Sequence, residues 1–143
     1  MDWTSIASIA TSVGVFVAAW RIRESRKLSM ASFEDSFDQQ YRILSHEIPV
    51  DALIGESLEG EVRKKARESI YNYLDLCNEQ IYLRMKCRIS TERWQEWRSG
   101  IKGNLQRTVF QEVWQEVKRN APETFTFLER LELEKFESDP KNW

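Results

Sequence analysis

Residues 3–20 read WTSIASIATSVGVFVAAW, eighteen positions without a charge between Asp2 and Arg21. As an α-helix this run measures about 27 Å, close to the roughly 30 Å hydrocarbon thickness of a bilayer. Trp3 and Trp20 stand at its two ends, where amphipathic rings favour the headgroup level. Arg21, Arg23, Arg26 and Lys27 follow at once, against Glu24 alone. A cleavable leader needs positive charge before the apolar run and a small-residue cleavage site after it. Here the only early charge is Asp2, and the run ends in Trp20-Arg21-Ile22-Arg23. The hydroxyl residues Thr4, Ser5, Ser8, Thr11 and Ser12 make the run only moderately apolar, so a buried core helix is the competing reading. Length, tryptophans and basic flank together predict a membrane span, amino terminus outside and flank in the cytoplasm.

At 100° per residue the span has two faces. Ile6, Ile9, Val13, Phe16, Val17 and Trp20 share one and suit lipid. Thr4, Ser5, Ser8, Thr11, Ser12, Val15 and Ala19 lie opposite. Small and hydroxyl-bearing side chains let helix backbones approach and hydrogen-bond across an interface, which lipid-facing positions do not need. The second face is therefore expected to meet other copies of the chain, with Thr4, Ser8, Thr11, Ser12 and Val15 facing the oligomer axis. A packed bundle is the default for such faces, and a narrow polar pore is the other arrangement they permit.

Outward from this run the chain is poor in turn residues, with five glycines and three prolines among 143 residues. That composition excludes sandwiches, barrels and collagen-like chains and points to one small domain of long helices. Between Arg21 and Pro49 there is neither Gly nor Pro, and Met30, Phe33, Phe37, Tyr41 and Leu44 form one apolar stripe. The first helix is thus expected to continue out of the membrane as a stalk. Pro49 opens a short helix through Ile54, closed by Gly55. Gly60 to about Arg88 reads as a long helix with Val62, Ala66, Ile70, Tyr73, Leu74, Cys77, Ile81 and Met85 on one side. Ser90 is placed to cap the next helix, which carries Trp94 and Trp97 and is expected to stop at Gly100. A further helix is expected from about Ile101 to Arg119, and a last one from Pro122 with Phe125, Leu128 and Leu131 inward. The tail after Phe136 is expected to be loose. The fold class is all-α, an N-terminal transmembrane helix continuing into a small cytosolic helical bundle. Its parts are 1–27 (span and basic flank), 28–136 (helical domain) and 137–143 (polar tail).

Charge is segregated along the domain. Residues 28–62 hold eight acids against Arg42, and residues 84–107 hold seven bases against Glu92 and Glu96. Such helices face solvent or pair with one another, or else their basic segments form a phosphate-binding surface. In the second case Arg63, Lys64, Lys65, Arg67, Arg84, Lys86 and Arg88 are the residues that meet RNA, DNA or a nucleotide signal. Trp94 and Trp97 are placed either to stack on bases or to fill the core. Cys77 and Cys87, if on one helix, are about 15 Å apart and beyond disulfide reach, so both read as reduced core residues. A single histidine, His46, allows no multi-histidine metal site, and no Gly-rich phosphate loop or nucleophile elbow is present. The sequence points to no cofactor and no metal.

Arg42 and His46, four apart on one helix face beside Tyr41, resemble the Arg…His signature of HEPN helical ribonucleases. In that family two protomers bring the pair together to cut RNA, with four to six residues usually between them. Here only Ile43, Leu44 and Ser45 intervene. A surface arginine and a helix-terminal histidine is the alternative. The whole layout, from Trp3–Lys27 to the aromatic helical stretch Ser69–Val117, is similar to small bacterial membrane proteins with one amino-terminal helix and a short helical cytosolic domain. Among these are membrane effectors of anti-phage systems, including the accessory protein of RNA-guided type VI CRISPR loci. The resemblance implies a non-enzymatic homo-oligomer, single-pass in the bacterial inner membrane with its C-terminal domain cytoplasmic, that perturbs the membrane on infection. It further implies membrane lipid as a partner, with RNA, a nucleotide signal or a defence-complex protein as the activating one. An anchored ribonuclease using Arg42 and His46 is the first alternative, and a membrane scaffold or regulator without a channel is the second.

Overall fold

The computed structural model describes the backbone of residues 3–143 and the side chains of residues 14–143. Among the described residues the chain forms six α-helices: α1 (Trp3–Glu47), α2 (Val50–Ile54), α3 (Gly60–Met85), α4 (Thr91–Leu105), α5 (Thr108–Asn120) and α6 (Thr126–Leu133). A 3₁₀ turn, Pro140–Asn142, ends the chain. The all-α expectation holds. The expected continuity of the first helix holds too, since α1 runs unbroken until the chain nears Pro49.

α3 is the central element, packed by α1, α5, α6 and the final turn. Its inner face is the expected one from Ala66 to Ile81, with Ala66, Ile70, Tyr73, Leu74, Cys77 and Ile81 buried. At the two ends the expectation fails, since Val62 is 51% exposed and Met85 only partly buried. Trp94, Trp114, Phe110 and Leu128 close over it as the largest buried neighbours. Aromatic edges knit the layers, with Tyr73 set edge-on to Phe110 at 5.5 Å and Tyr41 of α1 at 6.1 Å from Tyr73. Trp94 is therefore a core residue. Trp97 is partly buried against Phe37, and its indole N–H donates to Asp38 at 2.9 Å. Trp94 therefore offers no free ring face of the kind that stacking on bases needs, while Trp97 stays partly exposed.

The segment boundaries differ from expectation in four places. α4 does not stop at Gly100 but runs to Leu105, because Ile101 and Leu105 continue the buried face begun by Trp94. A helical glycine costs about 1 kcal/mol relative to alanine, less than these two burials return. α5 accordingly begins at Thr108 instead of Ile101. α3 ends at Met85, three residues early, in a Schellman turn: Cys87 takes φ +56°, its N–H donates to Arg84 O, and Arg88 N–H donates to Leu83 O. α6 begins at Thr126 instead of Pro122, since Asn78 Oδ1 on α3 accepts the N–H groups of Phe127 and Leu128 at 3.1 and 3.2 Å.

The tail is not loose. Arg84 is only 3% exposed, and four of its N–H groups are engaged. Nε and Nη2 donate to the Asp139 carboxylate at 2.8 and 2.5 Å, Nη1 to Ile89 O at 2.8 Å, and Nη2 also to Thr91 Oγ1 at 3.1 Å. One guanidinium thus joins α3, the α3–α4 turn and the carboxy-terminal turn. Pro140 is buried behind it, and Trp143 lies 4.3 Å under the Arg130 guanidinium. The expectation that both cysteines are core residues also fails for one of them: Cys77 is buried and Cys87 is exposed.

Candidate functional site

Among the residues whose side chains are described, α1 joins the packed domain from Met30 onward. Every residue from Gly14 to Ser29 is exposed, and burial begins at Met30 and becomes complete at Phe37. The bare stretch carries large apolar side chains: Val15 is 64% exposed, Phe16 78% and Trp20 67%. Isolated exposed apolar residues are ordinary, but a contiguous run of them marks a surface that something covers. A helix standing alone in water is also marginal, because most helical stability in proteins comes from packing. Among the described residues no helix is long and apolar enough to cross a membrane. Residues 3–13, more than half of the uncharged run, have no described side chains, so Thr4, Ser8, Thr11 and Ser12 lie outside the described residues. Val15, expected to face the oligomer, and Phe16, expected to face lipid, are both uncovered.

Just beyond the bare stretch, α1 meets the α3–α4 turn. An open groove of about 500 Å³ runs between Arg26, Ser29, Met30 and Phe33 on one side and Lys86, Cys87 and Arg88 on the other. The Schellman turn makes it, because the left-handed Cys87 reverses the chain and swings Lys86 and Arg88 towards α1. Glu34 of α1 fixes the approach by accepting the Ser90 N–H at 2.7 Å. The Arg88 guanidinium lies 5.7 Å from the Phe33 ring centre, and Lys86 Nζ lies 5.5 Å from that of Tyr82.

The remaining basic residues are placed differently. Arg63, Lys64 and Arg67 stand near the start of α3 and meet Glu112, Glu61 and Glu116 at 3.0, 2.6 and 2.6 Å. Lys65 is exposed beside them. Arg84 is buried in the Asp139 junction. The clusters 63–67 and 84–88 occupy opposite ends of α3, about 30 Å apart, and do not form one surface. Arg42 and His46 are both exposed on α1. Arg42 Nε donates to Asp38 O at 3.4 Å, a local helix contact.

A second depression of about 200 Å³ lies between α1, α3 and α4, walled by Tyr41, Tyr73, Trp97, Gln80 and Asn104. Asn104 Nδ2 donates to the Tyr73 hydroxyl at 2.8 Å. Burial pushes the Tyr73 hydroxyl well above its ordinary pKa, and burial lifts the Cys77 thiol to about 12. Both groups stay protonated at neutral pH, so neither is a ready base or nucleophile.

No protein-family model, curated protein or solved structure matches the chain. Sequence reasoning placed Lys86 and Arg88 together with Arg84, but missed that Arg26 joins them. The signal for that junction was weak: a non-glycine residue takes the left-handed position, and the partner lies on another helix.

Proposed function

We propose that the chain is a single-pass membrane protein, anchored by the amino-proximal part of α1. Its helical domain works as a binding module at the cytoplasmic surface of a bacterial inner membrane. The observation that carries this reading is the bare stretch of α1. It continues the uncharged run, exposes Val15, Phe16, Val17 and Trp20 together, and finds no cover within the domain. A bilayer matches the uncharged run of residues 3–20 in length, and the basic residues 21–27 lie on the side that the positive-inside rule assigns to the cytoplasm. Self-association through the small and hydroxyl-bearing face supplies the remaining packing. In this reading the protein is an oligomeric membrane effector of the kind its layout resembles. RNA, a nucleotide signal or a defence-complex protein reaches the helical domain.

The test is partition of the full chain between membrane and soluble fractions, with and without Ile9→Arg plus Val13→Arg, which flank the middle of the uncharged run. A central arginine costs a membrane helix roughly 2.5–3.5 kcal/mol, so two should displace a single span from the membrane. A parent chain found wholly soluble and monomeric refutes the reading.

A further inference from the structure

The groove between α1 and the α3–α4 turn carries three cations, Arg26, Lys86 and Arg88, and no carboxylate on its walls. Lys86 and Arg88 rest over aromatic rings instead of against acids. The contrast with Arg63, Lys64 and Arg67 is direct, since each of those has a carboxylate within 3.0 Å. Ser29 supplies a neutral donor at the rim, and Met30 and Phe33 give the groove an apolar side. A surface of this kind suits a phosphate that is joined to an apolar body.

Its position along α1 says which phosphate. Trp20 ends the uncharged run, and Arg26 follows about 9 Å further along the helix. The polar layer of one leaflet is roughly 5–8 Å thick. Helix side chains lean towards the amino terminus, here towards the bilayer, and a long cationic side chain extends further that way. Arg26 thereby falls at the level of lipid phosphates, and the turn bearing Lys86 and Arg88 is held at the same level. We infer that this groove seats the headgroup phosphate of an anionic phospholipid, between Arg26 and Arg88 with Lys86 as a further point charge. The inference rests on the membrane reading above. The span then tethers the site beside its ligand, so even a weak headgroup contact is occupied and fixes the domain's orientation on the membrane.

The experiment is amide hydrogen exchange of the full chain in lipid nanodiscs, comparing phosphatidylcholine alone with increasing phosphatidylglycerol. Exchange across Lys86–Ser90 should slow with anionic lipid. Each basic side chain near an anionic surface contributes about five-fold. Lys86→Gln with Arg88→Gln should therefore raise the half-maximal phosphatidylglycerol fraction by about 25-fold, which removes the effect at any attainable content. Arg88→Lys should retain most of it, and unchanged exchange across α5 reports that the variants fold. Equal exchange in both lipids overturns the site while leaving the anchor intact. Failure of the parent chain to enter discs overturns the anchor itself. The same slowing by inorganic phosphate in phosphatidylcholine discs assigns the groove to a soluble anion and overturns the lipid assignment. Slowing by a short RNA but not by phosphatidylglycerol overturns it as well.

Discussion

Replacing Asp139 by alanine should cost more than any other single change in the last ten residues. Arg84 is 3% exposed, and the Asp139 carboxylate receives two of its N–H groups. Breaking a buried pair by removing one partner costs roughly 3–5 kcal/mol, because the other charge is left without compensation. The Asp139 side chain is 26% exposed, so water can replace part of the contact, and Ile89 O and Thr91 Oγ1 still accept from Arg84. About 2–3 kcal/mol is the expected loss. For a domain of this size that corresponds to a fall of roughly 8–12 °C in Tm, read by circular dichroism. Arg84→Met with Asp139→Leu should lose less than the two single changes together, since neither charge is then stranded. The pH dependence follows from the same contact. The Arg84 guanidinium holds the Asp139 carboxyl below its ordinary value of 3.8. Its contribution is therefore complete above about pH 4 and fades as the pH falls through the lower folded-state value. Asp139→Ala should remove that portion of the acid dependence. A variant within about 0.5 kcal/mol of the parent would show the carboxy-terminal turn to be unattached and refute the reasoning.

Three further outcomes follow from buried groups and backbone angles. One thiol, Cys87, should react with a maleimide in the folded protein, and Cys77 should join it only after denaturation, as counted by mass spectrometry. Immediate labelling of both would contradict the packing around α3. Gly100→Ala should stabilise the domain by up to about 1 kcal/mol, since the site is helical and an added Cβ meets nothing within 4 Å. Gly55→Ala should destabilise it by roughly 1 kcal/mol, because Gly55 holds φ +91° at the end of α2. Chemical denaturation of the two variants checks the opposite signs.

The legible parts of the fold are those with local causes. α1 could be read as one helix because nothing interrupts it before Pro49, and its apolar stripe packs at Phe37 and Leu44 while Phe33 and Tyr41 stay exposed. Ser90 caps α4 as expected, accepting the Arg93 N–H at 3.2 Å. What escaped depends on residues far apart. Asn78 sets the start of α6 across the core, and Arg84 draws in a tail that looks polar and free when read alone. Glycine was also an unreliable stop sign. Gly55 ends α2, yet the same left-handed turn is taken by Cys87 after α3 and Lys135 after α6, while Gly100 lies inside a helix. The basic residues were legible as charges but not as surfaces, because Glu112 and Glu116 on α5 neutralise one cluster and leave the other open.

The central claim is that the uncharged run of α1, residues 3–20, lies in a bilayer, and Val17 is the position to probe. On a Cys87→Ser background, Val17→Cys carries a fluorophore while Cys77 stays unlabelled in the core. In vesicles containing the full chain, the label should be quenched by nitroxides on lipid acyl chains and shielded from aqueous iodide. Quenching by iodide with no effect of the acyl-chain nitroxides would place the helix in water and contradict the account.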